Sequence, residues 1–287
     1  MDNLSAGVEA LRRPPEREPE GEAALSPERV RYLKKKRRLK RLILACQLGI
    51  LVVFIALWEI TARLGIIDSF ILSQPSRIVE TYITMFQSDL LSHMWVTIYE
   101  TLIGFLLGAV FGTLFAVLLW WSSFIAKVSE PYLVVLNSLP KIALGPVIIV
   151  LVGAGTEAII FMALAISLIV TVLEMLSGFR HTDPELIRMA TTFGASKRQI
   201  FLKVVLPSNI PTLFNSLKIN IGLSLVGVIA GEFLVSKAGL GYLIVYGGQV
   251  FRLDLVMASV IILSAVAALM YEGVVLLQKL VMRWYGH

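Results

Sequence analysis

Six stretches of the chain, residues 42–64, 98–121, 132–152, 156–177, 211–235 and 253–282, are almost continuously apolar. Each approaches or exceeds the ~20 residues that a helix needs to cross the hydrocarbon core of a bilayer. Inside that core a segment must satisfy its own backbone hydrogen bonds, which an α-helix does. The expected fold class is therefore all-α, a polytopic membrane protein with six transmembrane helices. Composition agrees: 57% of residues are hydrophobic and 16% charged, against about 25% charged in soluble domains. The single cysteine, Cys46, lies inside the first apolar run and excludes an intramolecular disulfide. His93, His181 and His287 are scattered without metal-ligand spacing, so a metal centre is not expected.

Residues 1–25 are rich in Glu, Pro, Gly and Arg with few apolar anchors, a composition expected to give a disordered tail. Ser26 and Pro27 suit a helix N-cap and first helical position, so residues 26–41 are predicted to form a basic amphipathic juxtamembrane helix. Its block Lys34, Lys35, Lys36, Arg37, Arg38, Lys40 and Arg41 runs straight into apolar Leu42. That continuity favours anionic membrane lipid over nucleic acid as the partner of the block. The first run exceeds a signal-peptide core and is read as an uncleaved span. Placing the N-terminal block inside also places Lys127, Arg180, Arg188, Lys197, Arg198, Lys203 and Arg283 inside. Only Arg63, Arg77, Lys237 and Arg252 fall on the other face. The positive-inside rule then puts both termini in the cytoplasm and makes residues 42–287 a six-span unit with a cytoplasmic loop at 183–207.

Several interruptions of the apolar runs are informative. Glu59 and Arg63 are four apart on one helix face, where they can pair or snorkel. Residues 66–96 are mixed and predict an external loop with a short amphipathic helix; residues 236–251 predict a second short external element. Gly104, Gly108 and Gly112 form a small-residue stripe that lets another helix approach closely. The third run contains Asn137, Pro140, Lys141 and Pro146, and prolines there predict a broken or kinked helix facing protein or a pathway. Lys141 has two readings, complementing an anion or satisfying carbonyls freed by the break. Glu100 and Glu232 are intramembrane carboxylates, which rarely face lipid. Together with Asn137, Pro140, Lys141 and Pro146 they are the candidate pathway residues.

Residues 188–207 form the one long polar, basic stretch between apolar runs. A helix-compatible segment precedes Gly194, and a second follows with Ile200, Phe201, Val204 and Val205 at one-turn spacings. Leu206-Pro207 is expected to close it, since proline lacks an N–H. The spacing of Gly194 to Leu206-Pro207 resembles the EAA loop of ABC importer permeases. Ile71-Leu72-Ser73-Gln74-Pro75-Ser76, Gly104-Phe105-Leu106-Leu107-Gly108, Leu139-Pro140 with Ala143, Pro146 and Gly153, Asp183-Pro184-Glu185-Leu186, and Glu232 with Gly239-Leu240-Gly241-Tyr242 are also similar to that family. The likeness is to the nitrate, taurine and aliphatic-sulfonate subfamily of binding-protein-dependent inner-membrane components. It departs at Arg188 and Met189, where the motif has an acid and alanine and only Ala190 is retained, and at Glu100, where relatives often carry arginine.

What the resemblance implies is a type I importer permease fold and a non-catalytic subunit of the bacterial inner membrane, working as a homodimer. Its partners would be an ABC ATPase subunit dimer that holds MgATP and an extracytoplasmic solute-binding protein. The ATPase-coupling residues would be Ala190, Phe193, Gly194, Ala195, Ser196, Lys197, Arg198, Phe201, Leu206 and Pro207. Phe193 with the Ile200, Phe201 and Val204 face would make the apolar contact, and Lys197 and Arg198 its polar rim. The implied cargo is a small anion such as a sulfonate or nitrate, with a vitamin precursor or flavin-like heterocycle as alternative. The sequence contains no Gly-x-x-x-x-Gly-Lys-Ser/Thr phosphate loop, so ATP hydrolysis is not expected here. A secondary transporter or channel would predict inverted repeats and midplane charges. No convincing repeat is present, and Glu100, Glu157, Glu174 and Glu232 lie nearer span ends. A membrane enzyme would need a clustered acid, base and nucleophile, which the sequence does not show.

Overall fold

The computed structural model describes residues 27–66, 73–86 and 89–285. The expected tail, the Ser26 cap and Ile71-Leu72 lie outside them. The chain divides into two compact units, Met1–Leu57 and Trp58–His287. In the first, the basic block and the first apolar run belong to one uninterrupted helix, α1 (Pro27–Arg63). Apolar side chains follow the cationic ones with no breaker between them, so the backbone has no reason to stop at Leu42.

The second unit begins in the last turns of α1. There Arg63 Nε donates to Glu59 Oε1 at 2.6 Å, and Glu59 Oε2 accepts from the backbone N–H of Ser76 at 3.1 Å. Ser76 opens α2 (Pro75–Phe86), so Glu59 covers one of the N–H groups that a helix start leaves without an intrahelical partner. The remaining elements are α3 (Leu90–Trp121), α4 (Ser123–Ser138), a 3₁₀ turn (Lys141–Leu144) leading into α5 (Gly145–Val152), and α6 (Thr156–Arg180). Then come α7 (Pro184–Thr192), α8 (Lys197–Ile200), a π-helical turn (Phe201–Val205), α9 (Leu206–Ser208), α10 (Ile210–Val235), α11 (Leu240–Gln249) and α12 (Leu253–Tyr285). No strand occurs among the described residues.

α1, α3, α6, α10 and α12 are each long and apolar enough to cross a membrane. The pair α4 and α5, bent by 85° at the break before Lys141, makes the count six when taken as one span. The break is the interruption that Pro140 predicts: its ring removes a backbone donor, and Leu139 before it is extended at φ −63, ψ 139.

The centre of the unit is α6, with α3 on one side and α10 on the other. A methyl added to Gly104 would lie 2.5 Å from Ala163 Cβ, and one on Gly112 2.5 Å from Thr171 Cβ. Gly108 is closed off in the same way by Ser167. From the other side, Gly227 meets the Ala163 backbone and Gly231 meets Ile159. Lipid gives no hydrophobic drive for helices to associate, so backbone approach through small residues and hydrogen bonds must hold them. One such bond runs from Asn220 Nδ2 to Thr171 Oγ1 at 2.8 Å, both residues being buried.

Three boundaries differ most from the sequence reading. The helix of the third run begins at Ser123, well before residue 132, because the Ser122 hydroxyl caps it by accepting from the Ile125 N–H, and Pro131 is carried inside it. α3 begins at Leu90, about two turns before the expected start at residue 98, because its first turns pack on the rest of the unit. Leu90 is buried in a cluster with Leu240, Leu243 and Leu255, with Met94 and Ile98 against it. Leu206-Pro207 also fails to end its helix. The π turn widens the hydrogen-bond ladder so that the Leu206 N–H donates to Phe201 O, and the missing proline donor falls in a turn already out of α register. The stop comes at Asn209, whose side-chain amide donates to Val205 O and Thr182 Oγ1, both at 2.8 Å.

Overpacking at such contacts costs about 1–3 kcal/mol. Gly108→Ala is therefore expected to lower the thermal unfolding midpoint in detergent. Gly273→Ala on α12, where nothing lies within 4 Å of the added methyl, should leave it unchanged or raise it, since alanine is the better helix former by about 1 kcal/mol.

Candidate functional site

Two constellations stand out, one at each end of α3. At its C-terminal end lies the hairpin of α7 and α8. α7 stops in a Schellman motif: the Gly194 N–H donates to Thr191 O and the Ala195 N–H to Ala190 O, at 2.9 and 3.0 Å. Gly194 sits at φ +76, where a side chain would be strained. Ser196 then starts α8 in a capping box, its hydroxyl accepting from the Gln199 N–H while Gln199 Oε1 accepts from the Ser196 N–H. Asp183 caps α7 through the Glu185 N–H at 2.8 Å. The hairpin is thus fixed at each of its turns by local hydrogen bonds.

Its two faces differ. Ile200, Phe201 and Val205 are buried in a cluster with Ala116, Leu119, Met175 and Phe179. The Phe201 ring lies 5.0 Å from Trp120 and 5.5 Å from Phe179, centroid to centroid. This corrects the expectation that Ile200 and Phe201 form an apolar surface for a partner: helical spacing groups them on one face, and that face packs on the chain's own helices. Ala190, Ala195, Leu206 and Pro207 are half-buried, the first three packed at the edge of the same cluster. The outward apolar side chains are instead Leu186 and Met189 of α7, Phe193 just after it, 83% exposed, and Leu202 of the π turn. Arg188 and Arg198 are exposed beside them. Lys197 departs from the rim assigned to it, for its Nζ donates to Trp121 O at 2.5 Å and lies 5.5 and 5.9 Å from the Trp120 and Trp121 ring centres.

At the other end of α3, the N-terminus of α11 is closed by side chains from two neighbouring helices. The Gly239 N–H donates to His93 Nδ1 at 2.9 Å, the Leu240 N–H to Thr97 Oγ1 at 2.8 Å, and the Gly241 N–H to Glu232 Oε2 at 2.5 Å. Thr97 Oγ1 in turn donates to Glu232 Oε1 at 2.6 Å. Three donors without intrahelical partners are thus satisfied away from water, with a carboxyl at a helix N-terminus where negative charge is favoured. Glycine is required on both sides of Leu240: Gly239 has φ +111, and a methyl on Gly241 would meet Glu232 Oε2 at 2.7 Å. His93 stacks on Tyr242 at 5.9 Å. Glu100 is as buried as Glu232, at 1% exposure, and faces it with one oxygen lacking a hydrogen-bond partner.

The other pathway candidates lie at the α4–α5 break. Asn137, Pro140 and Pro146 are exposed on this chain, and Lys141 is half-buried. Lys141 Nζ donates to Asn137 O at 2.8 Å. Of its two readings, the one in which it satisfies a freed carbonyl is the one observed. Beside the break lies a cavity of about 610 Å³ with an apolar lining that includes Ile142, Pro146, Leu225, Phe233 and Leu263. Sequence reasoning missed His93, Thr97, Trp120 and Trp121. The signal for Thr97 was present, because Thr97, Thr101, Gly104, Gly108 and Gly112 continue one small or polar stripe along α3.

Comparison with known proteins identifies this architecture. The family described as binding-protein-dependent transport system inner membrane component matches residues 104–286. The chain belongs to that family and is the membrane-spanning permease subunit of an ABC importer. It is not the ATPase, which in such transporters is a separate chain. A probable ABC transporter permease of Haemophilus influenzae is 31% identical over 223 residues, covering 77% of this chain and 90% of the relative. A putative aliphatic sulfonates transport permease of Bacillus subtilis is 28% identical over 233 residues, covering 81% and 84%. A formylaminopyrimidine transport permease of Halalkalibacterium halodurans is 28% identical over 228 residues, covering 79% and 91%. Among solved structures, a bacterial ABC transporter involved in import of the acidic polysaccharide alginate matches with a TM-score of 0.59 at 17% identity. That match covers 86% of this chain and 98% of the other, and it shows that the fold is that of a type I importer permease.

Leaving a buried N–H without its acceptor costs about 1–3 kcal/mol. Thr97→Val is expected to speed amide exchange at Leu240 and proteolysis across residues 236–252, and Glu232→Ala to do so more strongly. Both are read by hydrogen–deuterium exchange on the purified protein, with the α7–α8 hairpin as the internal control.

Proposed function

We propose that two copies of this chain form the translocation pathway of an importer whose ATPase subunits dock on the α7–α8 hairpin. The observation that carries this reading is the exposed row Leu186, Met189 and Phe193 on a hairpin whose turns are capped and whose other face, Ile200, Phe201 and Val205, packs on the chain's own helices. An apolar side chain as exposed as Phe193 needs a partner surface if it is to leave water, and a rigid hairpin presents it without an ordering cost at binding. The hairpin faces the cytoplasm, in line with the excess of Lys and Arg on that side, and both termini lie there too. MgATP is held by the partner ATPase, and a solute-binding protein delivers cargo at the α11 end. The second copy covers the exposed Asn137, Pro140 and Pro146 face, and the switch between inward-open and outward-open states is a rigid-body movement of the two copies.

The cargo is a small organic anion of the sulfonate class, supported by the aliphatic-sulfonate relative. A second reading, a pyrimidine-type heterocycle, is favoured by two observations: Lys141 is already engaged by Asn137 O, and the cavity at the break is apolar. Hydrolysis of ATP by the purified complex, with its binding protein loaded with an alkanesulfonate or a formylaminopyrimidine, decides between them. Stimulation by the sulfonate alone supports the first reading, and stimulation by the pyrimidine alone the second.

Introducing a charge at an interface anchor costs on the order of 2 kcal/mol or more. Phe193→Glu or Met189→Glu should therefore weaken ATPase binding roughly 30-fold or more while the permease remains in the membrane. Co-purification with the ATPase measures this, and unchanged recovery with both variants would remove the docking assignment.

A further inference from the structure

The hairpin is joined to α3 by one polar contact that neither the membrane nor the docking surface requires. Lys197 is the first residue of α8, and its ammonium reaches the backbone carbonyl of Trp121, the last residue of α3. Beyond Trp121 the chain turns extended at Ser122 (φ −127, ψ 108), so the final carbonyls of α3 have no helical partners. A cation is favoured at such a helix end, where the peptide dipoles leave partial negative charge. The same ammonium lies near the faces of both indoles, a second electrostatic attraction. The Phe201 ring, four residues after Lys197, is set among Trp120, Trp121 and Phe179. The apolar contact holds the hairpin against both α3 and α6, and the lysine adds a polar tie to the end of α3.

α3 is continuous from Leu90 to Trp121. Its Thr97 and His93, which hold the start of α11, therefore lie roughly 36 Å and 42 Å from Trp121 at ~1.5 Å rise per residue. A displacement of the hairpin passed to the C-terminus of α3 reaches the α11 cap along a single rigid element.

We infer that Lys197 is a positioning residue for coupling, a joint that passes movement of the ATPase-docked hairpin into α3 and so to the α11 turn. This rests on the docking reading above, in which the ATPase sits on α7. It separates two roles within one hairpin: Leu186, Met189 and Phe193 bind the ATPase, and Lys197 conveys its movement.

The test uses the full complex in proteoliposomes, with ATP hydrolysis measured together with uptake of the labelled probe, alkanesulfonate or formylaminopyrimidine, that stimulates hydrolysis in the unmutated complex. Lys197→Met keeps the aliphatic stem and removes the charge. It is expected to retain the ATPase at wild-type stoichiometry and to hydrolyse ATP, with cargo imported per ATP lowered about tenfold, a size typical of coupling between sites. Lys197→Arg should restore coupling, because a guanidinium can also reach a carbonyl and stack on indoles. A wild-type import ratio in Lys197→Met would overturn the inference. Loss of the ATPase from that variant would overturn it too, by making Lys197 a docking contact. Met189→Glu in parallel isolates the docking reading, which fails if that variant keeps the ATPase. A measurement on the unmutated complex stands apart from variant folding: ATP should alter amide exchange at residues 118–123 and 239–241 together. Change at neither, or at only one, counts against the joint.

Discussion

A helix end leaves backbone N–H and C=O groups without intrahelical partners, and the arrangement of this bundle follows from where such groups are closed. Lys141 covers Asn137 O where α4 breaks off, Asn209 covers Val205 O where the hairpin's second helix ends, and Lys197 covers Trp121 O where α3 ends. At the start of α11, side chains of α3 and α10 accept from three successive amides. Each closure comes from a side chain whose position is itself fixed by a helix, so satisfying one element's end also sets its distance from another. The irregular segments are therefore the joints of the structure, and its straight helices are the members that the joints connect.

The contact of α6 with α3 and α10 is of another kind. Glycines on both neighbours bring backbones together at Ile159, Ala163, Ser167 and Thr171, leaving little side chain to rearrange. Close-packed interfaces of this sort do not deform gradually. α3, α6 and α10 therefore move together, and any change of state has to be taken up around them. The parts left to move are those held through caps and aromatic contacts, namely the hairpin, the α4–α5 break and α11. These are also the segments that carry the exposed row, the apolar cavity and the Gly-Leu-Gly turn.

How much of this was legible in the sequence depends on the kind of information each feature needs. Span number and the break at Pro140 are local, set by run length and by a missing N–H, and both could be read directly. The Gly104, Gly108 and Gly112 stripe announced a close neighbour, though not that the neighbour is α6. Periodicity grouped Ile200, Phe201 and Val204 on one face, yet it carries no information on whether that face meets a partner or the chain's own core. Phe201 was misassigned for that reason, and Phe193, outside the periodic run, proved the exposed one. Lys197 and Lys141 share another ambiguity. A long cationic side chain near a helix end can reach water, a ligand or a carbonyl, and only the neighbouring backbone decides. The start of α3 was hidden because Ser92, His93 and Thr97 look like loop residues until α11 is there to receive them.

Glu100 and Glu232 show how two facing acids can be held inside the bundle. An arginine at this position would face Glu232 with a charge of opposite sign. In this chain Glu100 is a second acid, fully buried against the first. Among the described residues no Lys, Arg or His forms an ion pair with either. Glu232 keeps its place through the Thr97 hydroxyl and the Gly241 amide. The cap on α11 therefore rests on hydrogen bonds of fixed geometry, without a long flexible partner that could follow a shifted backbone. A joint built this way tolerates little misalignment between α3, α10 and the Gly239–Gly241 turn. A shift of α3, shared by α6 and α10, would accordingly release α11 or carry it along, which makes that turn the place where movement arriving through α3 must be expressed.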